Sequence, residues 1–334
     1  MKRLILIWFI IANAYLNTVY AQEQFSISQY YQTQAILNPG FTGVNDFLDV
    51  KLGYRKKWTG VVSSPSTIFL SVDGSIGDKT SYNQSPLRTS NPNQIAYIEA
   101  QKARIRSHGI GGYITKQQQG AFDQINFMIN YAYHIPINSK VKIAMGTSLG
   151  ISNISVDLNK IEVWDKINDP VYQAYANGDG NYWRFLMGAG GVMYGKKSYL
   201  GVSYIPIVDI SLSGNDENLV SEEKVIGMAG TKFNISPFII LQPSVLFEST
   251  STHESKFVGS LLFDLKNLIK TGLSYSSVKD MSFNVMFNYK NEVGISYGFE
   301  TSLGNNETTI GNGTHEVILS LNLFNHLNAT HRLW

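Results

Sequence analysis

The stretch DQINFMINYAYHI, residues 123–135, decides the fold because apolar and polar side chains alternate along most of its length. Ile125, Phe127 and Ile129 fall on one side of the alternation, while asparagine and glutamine are frequent on the other. A period of two residues is that of a β-strand, since successive side chains point to opposite faces of a sheet. The segment therefore predicts a strand with one apolar face and one mostly polar face.

The same alternation recurs in KVKIAMGTSLGIS (140–152), MSFNVMFNY (281–289) and VGISYGFET (293–301). A soluble β-sandwich also alternates, so the period alone leaves both a sandwich and a membrane barrel open. Applied to the whole chain, the pattern predicts strands at 46–55, 66–77, 106–117, 122–134, 140–152, 182–194, 198–206, 223–234, 238–248, 256–265, 267–276, 281–289, 292–302 and 314–324.

The lengths of the connections favour the membrane barrel. Tight turns follow the fourth, sixth, eighth, tenth and twelfth strands, whereas long connections follow the fifth, seventh and thirteenth, at 153–181, 207–222 and 303–313. Outer-membrane barrels have short periplasmic turns and longer outer loops, and an even number of strands puts both termini on the periplasmic side. One segment, 78–105, breaks this rule, because it is long and polar on the short-turn side. We predict an all-β, transmembrane antiparallel β-barrel of about 14 strands over residues 46–324.

The composition agrees with a membrane barrel. Only 16% of the 334 residues are charged, and the chain has 19 Tyr, 17 Phe and 29 Gly but no cysteine. No stretch after the N-terminal segment has the apolar length of a transmembrane helix, and a closed barrel is the other way to satisfy backbone groups in a bilayer. Without Lys2 and Arg3, 25 basic residues balance 25 acidic ones, which gives no electrostatic case for binding nucleic acid.

Ile240, Leu246 and Leu262 fall on the predicted inner face of the barrel. Apolar side chains on that face indicate a partly filled interior more than a wide water channel.

The N-terminus MKRLILIWFIIANAYLNTVYA has the basic start, apolar stretch and small-residue exit of a secretory signal peptide, with cleavage predicted near Ala21. An anchor helix is the alternative, but the apolar run is shorter than the roughly 20 residues that span a bilayer. The predicted organisation is a signal peptide at 1–21, a lead-in or plug segment at 22–45, the barrel, and a C-terminal tail at 325–334. The outer membrane is the predicted location.

No constellation of residues indicates an enzyme or a metal site. GTSLG, residues 146–150, matches the nucleophile elbow of hydrolases, but that elbow needs a strand-to-helix turn and Ser148 is in mid-strand. The six histidines lack metal-site spacing, and Asp169, Asn177 and Asp179 lack the calcium-loop register of an EF-hand. Strand glycines in GIGGY and GAGG indicate bends or close packing. We expect no catalytic residue, no metal and no cofactor.

Two short stretches are candidates for recognition. YRKKWTG, residues 54–60, puts three cations beside Trp58 at the end of the first predicted strand, as an interfacial girdle does, although Arg and Trp also dominate binding hot spots. ILNPGFTG, residues 36–43, has two glycines and a proline that suit a fixed bend or wedge better than a strand. It either plugs the barrel mouth, presents residues to a partner, or simply leads into the first strand.

In these and other stretches the chain resembles the PorP/SprF family of outer-membrane proteins associated with type IX secretion in the Bacteroidetes. The resemblance rests on QYYQTQAILNPGFTG, YRKKW, SPSTIFLSVDG, GIGGYI, YAYHI, YLGVSY, PSVLF and GTHEVILSL, in family order from about residue 26 to 324. The chain departs from the family pattern at KTGLSYSS, which lacks an arginine after its tyrosine, and at Glu300, where aspartate is common.

The resemblance implies a non-enzymatic outer-membrane barrel that binds a secreted adhesin or its C-terminal domain. It further implies support for the adhesin's export or retention at the cell surface, and contact with type IX secretion and gliding components. A passive diffusion pore is the alternative. The candidate partner-binding residues are Asn38, Pro39, Phe41, Arg55, Trp58, His315 and Glu316.

Overall fold

A computed structural model describes residues 27–76, 106–138, 140–161, 163–169, 172–173, 180–213, 223–251, 255–303 and 311–325. The predicted signal peptide, the 78–105 connection and almost all of the predicted tail lie outside these ranges. The described chain contains fifteen strands: β1 (Leu48–Lys56), β2 (Ser66–Ile76), β3 (Ser107–Gln119), β4 (Phe122–Pro136), β5 (Val141–Val156), β6 (Asn181–Gly195), β7 (Ser198–Ser211), β8 (Lys224–Thr231), β9 (Phe233–Ser236), β10 (Ile239–Thr250), β11 (Lys256–Leu265), β12 (Ile269–Ser276), β13 (Asp280–Tyr289), β14 (Val293–Ser302) and β15 (Thr314–Leu323).

The strands form a single antiparallel sheet that closes on itself. From β1 to β8 and from β10 to β15 each strand pairs with the next one in sequence, β8 pairs with β10, and β1 also pairs with β15, which joins the two ends of the sheet. The short β9 pairs with β10 alone, so β8 and β9 together occupy one position in the ring. The fifteen strands therefore make a fourteen-position barrel, which confirms the predicted fold and strand number.

β5 runs to Val156, four residues past its predicted end at 152, and two other strands differ from the prediction at a proline in the sheet. The predicted strand 223–234 is split at Lys232 into β8 and β9, which both pair with β10. Pro243 of β10 lies between the residues that pair with β8 and those that pair with β9, and it has no N–H to donate to the ladder. The seventh strand was predicted to end at Pro206, but β7 continues past it. A register shift between Met187 and Ala189 of β6 accommodates it, and β7 continues to Ser211.

The alternation along each strand separates the two faces of the barrel wall. In β13, Met281, Phe283 and Phe287 are exposed on the outside, whereas Ser282 and Asn284 are buried on the inside. An outer apolar face contacts lipid in a membrane barrel. The predicted apolar inner residues Leu246 and Leu262 are both buried in the interior.

The barrel has two distinct ends. At one end, here called the terminal end, the chain enters β1 and leaves β15. The turns 196–197, 237–238, 266–268 and 290–292 at this end are short, and only four residues, 137–140, separate β4 from β5. The opposite end, here called the loop end, carries the connections 57–65, 120–121, 157–180, 212–223, 251–255, 277–279 and 303–313. No helix within the described ranges is long and apolar enough to cross a membrane.

Residues 27–45, here called the inner segment, precede β1 and are mostly buried. They form two 3-10 turns (Tyr30–Gln32 and Pro39–Phe41) around a short helix α1 (Gln34–Leu37). The helix ends at Asn38, which has an extended backbone, because a residue before proline is disfavoured in a helix. The segment contacts side chains of β2, β4, β10, β14 and β15, so it lies inside the barrel.

Candidate functional site

The first anchor of the inner segment is a buried ion-pair network at the seam between β1 and β15. Arg55 Nη1 lies 3.0 Å from Glu316 Oε2, and Arg55 Nη2 lies 2.7 Å from Glu300 Oε1. The Glu316 carboxylate also accepts hydrogen bonds from the backbone N–H of Ser28 (3.0 Å) and of Gln29 (3.1 Å). One carboxylate therefore joins the barrel seam to the inner segment.

Two tyrosines follow this anchor. The Tyr30 hydroxyl lies 2.8 Å from Ser244 Oγ of β10, across the lumen from the seam. Burial raises the pKa of both the Tyr30 and Tyr31 phenols above their ordinary value, and for Tyr31 the nearby Glu316 charge adds to that effect. Both phenols therefore stay protonated at neutral pH and act as neutral polar groups within the interior.

Asn38 is the second anchor, and its side chain is fully buried. Its Nδ2 donates to the carbonyl oxygens of Gly191 and Val202, each at 3.1 Å, and its Oδ1 accepts from Gly40 N at 2.8 Å. Both amide hydrogens are therefore used on β6 and β7, while the oxygen caps the following turn. A Cβ at Gly190 would lie 2.2 Å from Asn38 Oδ1, so a side chain at this wall position would displace the Asn38 amide.

The barrel wall also satisfies the carbonyl groups of α1. Asn130 Nδ2 of β4 donates to Ala35 O at 2.9 Å, and Ser203 Oγ of β7 donates to Leu37 O at 2.7 Å. The last carbonyls of a helix have no partner within the helix, and leaving them unpaired in the interior would be unfavourable. The wall thus supplies the hydrogen bonds that a four-residue helix cannot make for itself.

Glycines let the inner segment approach the wall closely. A Cβ at Gly109 would lie 1.9 Å from Thr42 O, and a Cβ at Gly146 would lie 2.4 Å from Pro39 O. Both distances are far below contact between real atoms, so neither position admits a side chain. Gly43 has φ +71°, a conformation that glycine adopts at no steric cost. The interpretation of the strand glycines as close-packing positions is confirmed.

Phe41 and His134 complete the packing towards the terminal end. The Phe41 ring meets Tyr199 edge-on, with ring centroids 5.4 Å apart. His134 Nε2 lies 2.8 Å from Thr42 O, and its Nδ1 lies 2.8 Å from the Tyr194 hydroxyl. Because a carbonyl only accepts hydrogen bonds, Nε2 carries a proton, and in a neutral ring Nδ1 then accepts from Tyr194.

A second cluster of charged side chains, Asp49, Lys51 and Asp73, lies beside the point where the inner segment leads into β1. Asp73 Oδ2 accepts from Gly43 N at 2.9 Å, and Lys51 Nζ lies 2.5 Å from Asp49 Oδ2. These side chains face inward from β1 and β2, so both ends of the inner segment are held by carboxylates of the wall.

The structure places the seven candidate residues in three environments. His315 and Trp58 lie outside the interior. The other five lie inside it: Asn38, Pro39, Phe41, Arg55 and Glu316. His315 lies outside this interior, where its Nδ1 is 2.7 Å from the Tyr297 hydroxyl. Trp58 lies in the 57–65 connection at the loop end. Partner binding by these residues stays a prediction.

Treating Arg55 as an interfacial girdle cation is wrong, because strand alternation turns it inward while its neighbour Lys56 faces out. Sequence reasoning also missed Asn130, His134 and Ser203. Strand alternation places these three residues on the inward face of predicted strands, which was the available signal. Nothing in the sequence indicated which of the inward polar side chains contact the inner segment.

No group of three or more His, Asp or Glu among the described residues could hold a metal ion. Asn177 and Asp179, two of the three residues considered as calcium ligands, lie outside the described ranges.

A known protein family matches most of this chain in sequence. The model of the family described as type IX secretion system membrane protein PorP/SprF matches residues 19–321. No curated protein matches the chain significantly in sequence.

Solved barrels of low identity are also similar to this chain. The CymD monoaromatic hydrocarbon channel has 11% identity and a TM-score of 0.47, covering 91% of this chain and 94% of its own. The outer membrane protein Omp33 of Acinetobacter baumannii has 9% identity and a TM-score of 0.46, covering 84% and 100%. The toluene transporter TbuX of Ralstonia pickettii has 8% identity and a TM-score of 0.48, covering 86% and 93%.

Proposed function

This chain belongs to the PorP/SprF family of type IX secretion system membrane proteins, and from that premise we propose that it is a non-enzymatic outer-membrane barrel that binds a secreted surface protein. The bound protein is an adhesin or its C-terminal domain, and the barrel supports its export or its retention at the surface. The observation that carries this proposal is the position of the inner segment, which is held on several sides of the lumen.

Because the inner segment occupies the lumen, a barrel that binds a partner protein is favoured over the alternative of a passive diffusion pore. A pore needs a continuous water-filled path, whereas here helix α1 and the Asn38 turn are hydrogen-bonded to β4, β6 and β7. The inner segment therefore acts as a plug, and transport of solutes through the barrel would require its displacement.

The loop end is the surface on which we expect the adhesin to bind. Trp164 is fully exposed there, and Ile167 and Val62 are also strongly exposed. Asp165 holds the tryptophan loop by accepting hydrogen bonds from Ile167 N (3.0 Å) and Asn168 N (3.2 Å). A pre-ordered loop with an exposed tryptophan is suited to protein binding, because aromatic anchors dominate interface energies.

We expect the terminal end to face the periplasm, with short turns and the entry to β1 on that side. Contact with periplasmic secretion and gliding components would then occur near the turns 196–197, 237–238 and 266–268. Cleavage of the signal peptide near Ala21 precedes insertion in this scheme.

A pull-down from an outer-membrane fraction tests the proposed partner. The wild-type protein and Trp183→Ala, which changes an outward-facing tryptophan of β6, should recover the surface adhesin, whereas Trp164→Ala should recover much less. Failure of the wild-type protein to recover any adhesin or secretion component would contradict the proposal. Planar bilayers test the alternative, since large and stable channels from the wild-type protein would favour a pore.

A further inference from the structure

An apolar cavity of about 120 Å³ lies inside the barrel on the loop-end side of the inner segment. Ile36 and Leu37 form its floor, and Met128, Leu186 and Ile226 line its wall from β4, β6 and β8. On β4, Met128 is nearer to the loop end than Asn130, which bonds to α1. The inner segment therefore separates this cavity from the terminal end, and a ligand would enter from the loop end.

A bulge in the wall adds two further apolar groups to the cavity. Between the pairs Met187↔Val208 and Ala189↔Tyr204, β7 has extra residues that β6 lacks. Ile205 and Pro206 are consecutive in sequence, and both line the cavity. Regular alternation would turn one of them outward, so the bulge is what brings both to the same side.

Five polar residues also line the cavity, namely Thr115, Gln124, Asn126, Lys224 and Glu248, and each already has a hydrogen-bond or ion-pair partner among them. Gln124 Nε2 donates to Asn126 Oδ1 at 3.2 Å, and Asn126 Nδ2 donates to Thr115 Oγ1 at 3.1 Å. Lys224 Nζ lies 2.6 Å from Glu248 Oε1. A charged ligand would have to break these bonds, whereas an uncharged apolar group would gain burial without that cost.

We propose that this cavity binds one uncharged apolar group of about the size of a benzene ring or a leucine side chain. An engineered cavity of about 150 Å³ in another protein, lined by apolar side chains, binds benzene, and the cavity here is of similar size and has a mostly apolar lining. The group comes either from a free small hydrocarbon or from a side chain of the bound surface protein. The second source rests on the proposed function, but the cavity itself does not.

Iodobenzene is a suitable probe, because its iodine can be located by anomalous scattering in soaked crystals of the full-length mature protein. We expect an iodine peak between Leu186 and Ile226. Leu186→Phe fills the cavity and should abolish the peak, whereas Leu200→Phe adds the same atoms on the lipid-facing side of β7 and should retain it. Leu186→Ala should retain the peak and admit a larger ring such as iodonaphthalene. Absence of the wild-type peak, or its persistence in Leu186→Phe, would overturn the proposal.

The same variants separate the two sources of the ligand. If a side chain of the surface protein occupies the cavity, Leu186→Phe should lose both the iodine peak and adhesin recovery in the pull-down, while Leu200→Phe keeps both. If a free hydrocarbon is the ligand, Leu186→Phe should lose the peak and still recover the adhesin. An iodine peak in a protein that never recovers adhesin would support the cavity and contradict the proposed function.

Discussion

Arg55 and Glu316 are 261 residues apart in the sequence and directly opposite each other on β1 and β15, where their side chains form a 3.0 Å ion pair. These two strands close the barrel, so the pair spans the seam between the first and last strands. Since Glu316 also holds the backbone of Ser28 and Gln29, closure of the barrel and seating of the inner segment depend on the same carboxylate.

Replacing Arg55 by methionine should strongly destabilise the folded barrel. The change leaves Glu300 and Glu316 close together without their shared cation, and breaking a buried ion pair costs about 3–5 kcal/mol. Denaturant unfolding in detergent measures the loss. Lys56→Met removes a neighbouring cation from the outer face and should cost far less. Equal stability of the two variants would contradict the role given to the seam network.

Alanine at Gly109 or Gly146 should loosen the inner segment. Each new Cβ would collide with backbone oxygen of that segment, at Thr42 or Pro39, and the segment must shift to relieve the collision. Single-channel recordings should then show higher conductance than the wild-type protein. Gly259→Ala is the matched control, because a Cβ there meets nothing within 4 Å. Unchanged conductance in correctly folded Gly109→Ala and Gly146→Ala would argue against the inner segment as the plug.

Asn38→Ala should free the turn that follows α1. The variant loses two hydrogen bonds to the wall and the one that caps Gly40, each worth about 1 kcal/mol net, with a further cost for the carbonyls left unpaired. Hydrogen exchange at the Gly40 amide should therefore become faster. Asn234→Ala, on the exposed surface of β9, should leave that rate unchanged. A Gly40 amide that exchanges equally slowly in Asn38→Ala would contradict the anchor.

Phe41→Ala tests whether the inner segment also serves a partner. Removing a buried phenylalanine should cost about 3–5 kcal/mol, and here the lost contact is with Tyr199. Phe283→Ala, on the lipid-facing side of β13, is the control. A Phe41→Ala protein that folds and inserts normally but loses surface adhesin would support docking, whereas failure to assemble would leave Phe41 a structural residue of the inner segment.

The sequence predicted most of the wall correctly, because strand alternation is a local property. The inward and outward sets of β13 follow directly from the order of residues in MSFNVMFNY. The errors occurred at Pro206 and Lys232, where a bulge or a missing N–H changes the ladder in a way that depends on the neighbouring strand. Pairing across strands is not encoded in either strand alone.

By itself the sequence determined an antiparallel membrane barrel of about 14 strands, its apolar outer face and the bend at ILNPGFTG. Only the tertiary structure decided that this bend lies within the lumen, that Asn38 bonds to β6 and β7, and that Arg55 meets Glu316. The physical reason is that period-two patterning fixes which face a side chain occupies, whereas its partner depends on barrel closure, which brings together residues hundreds of positions apart.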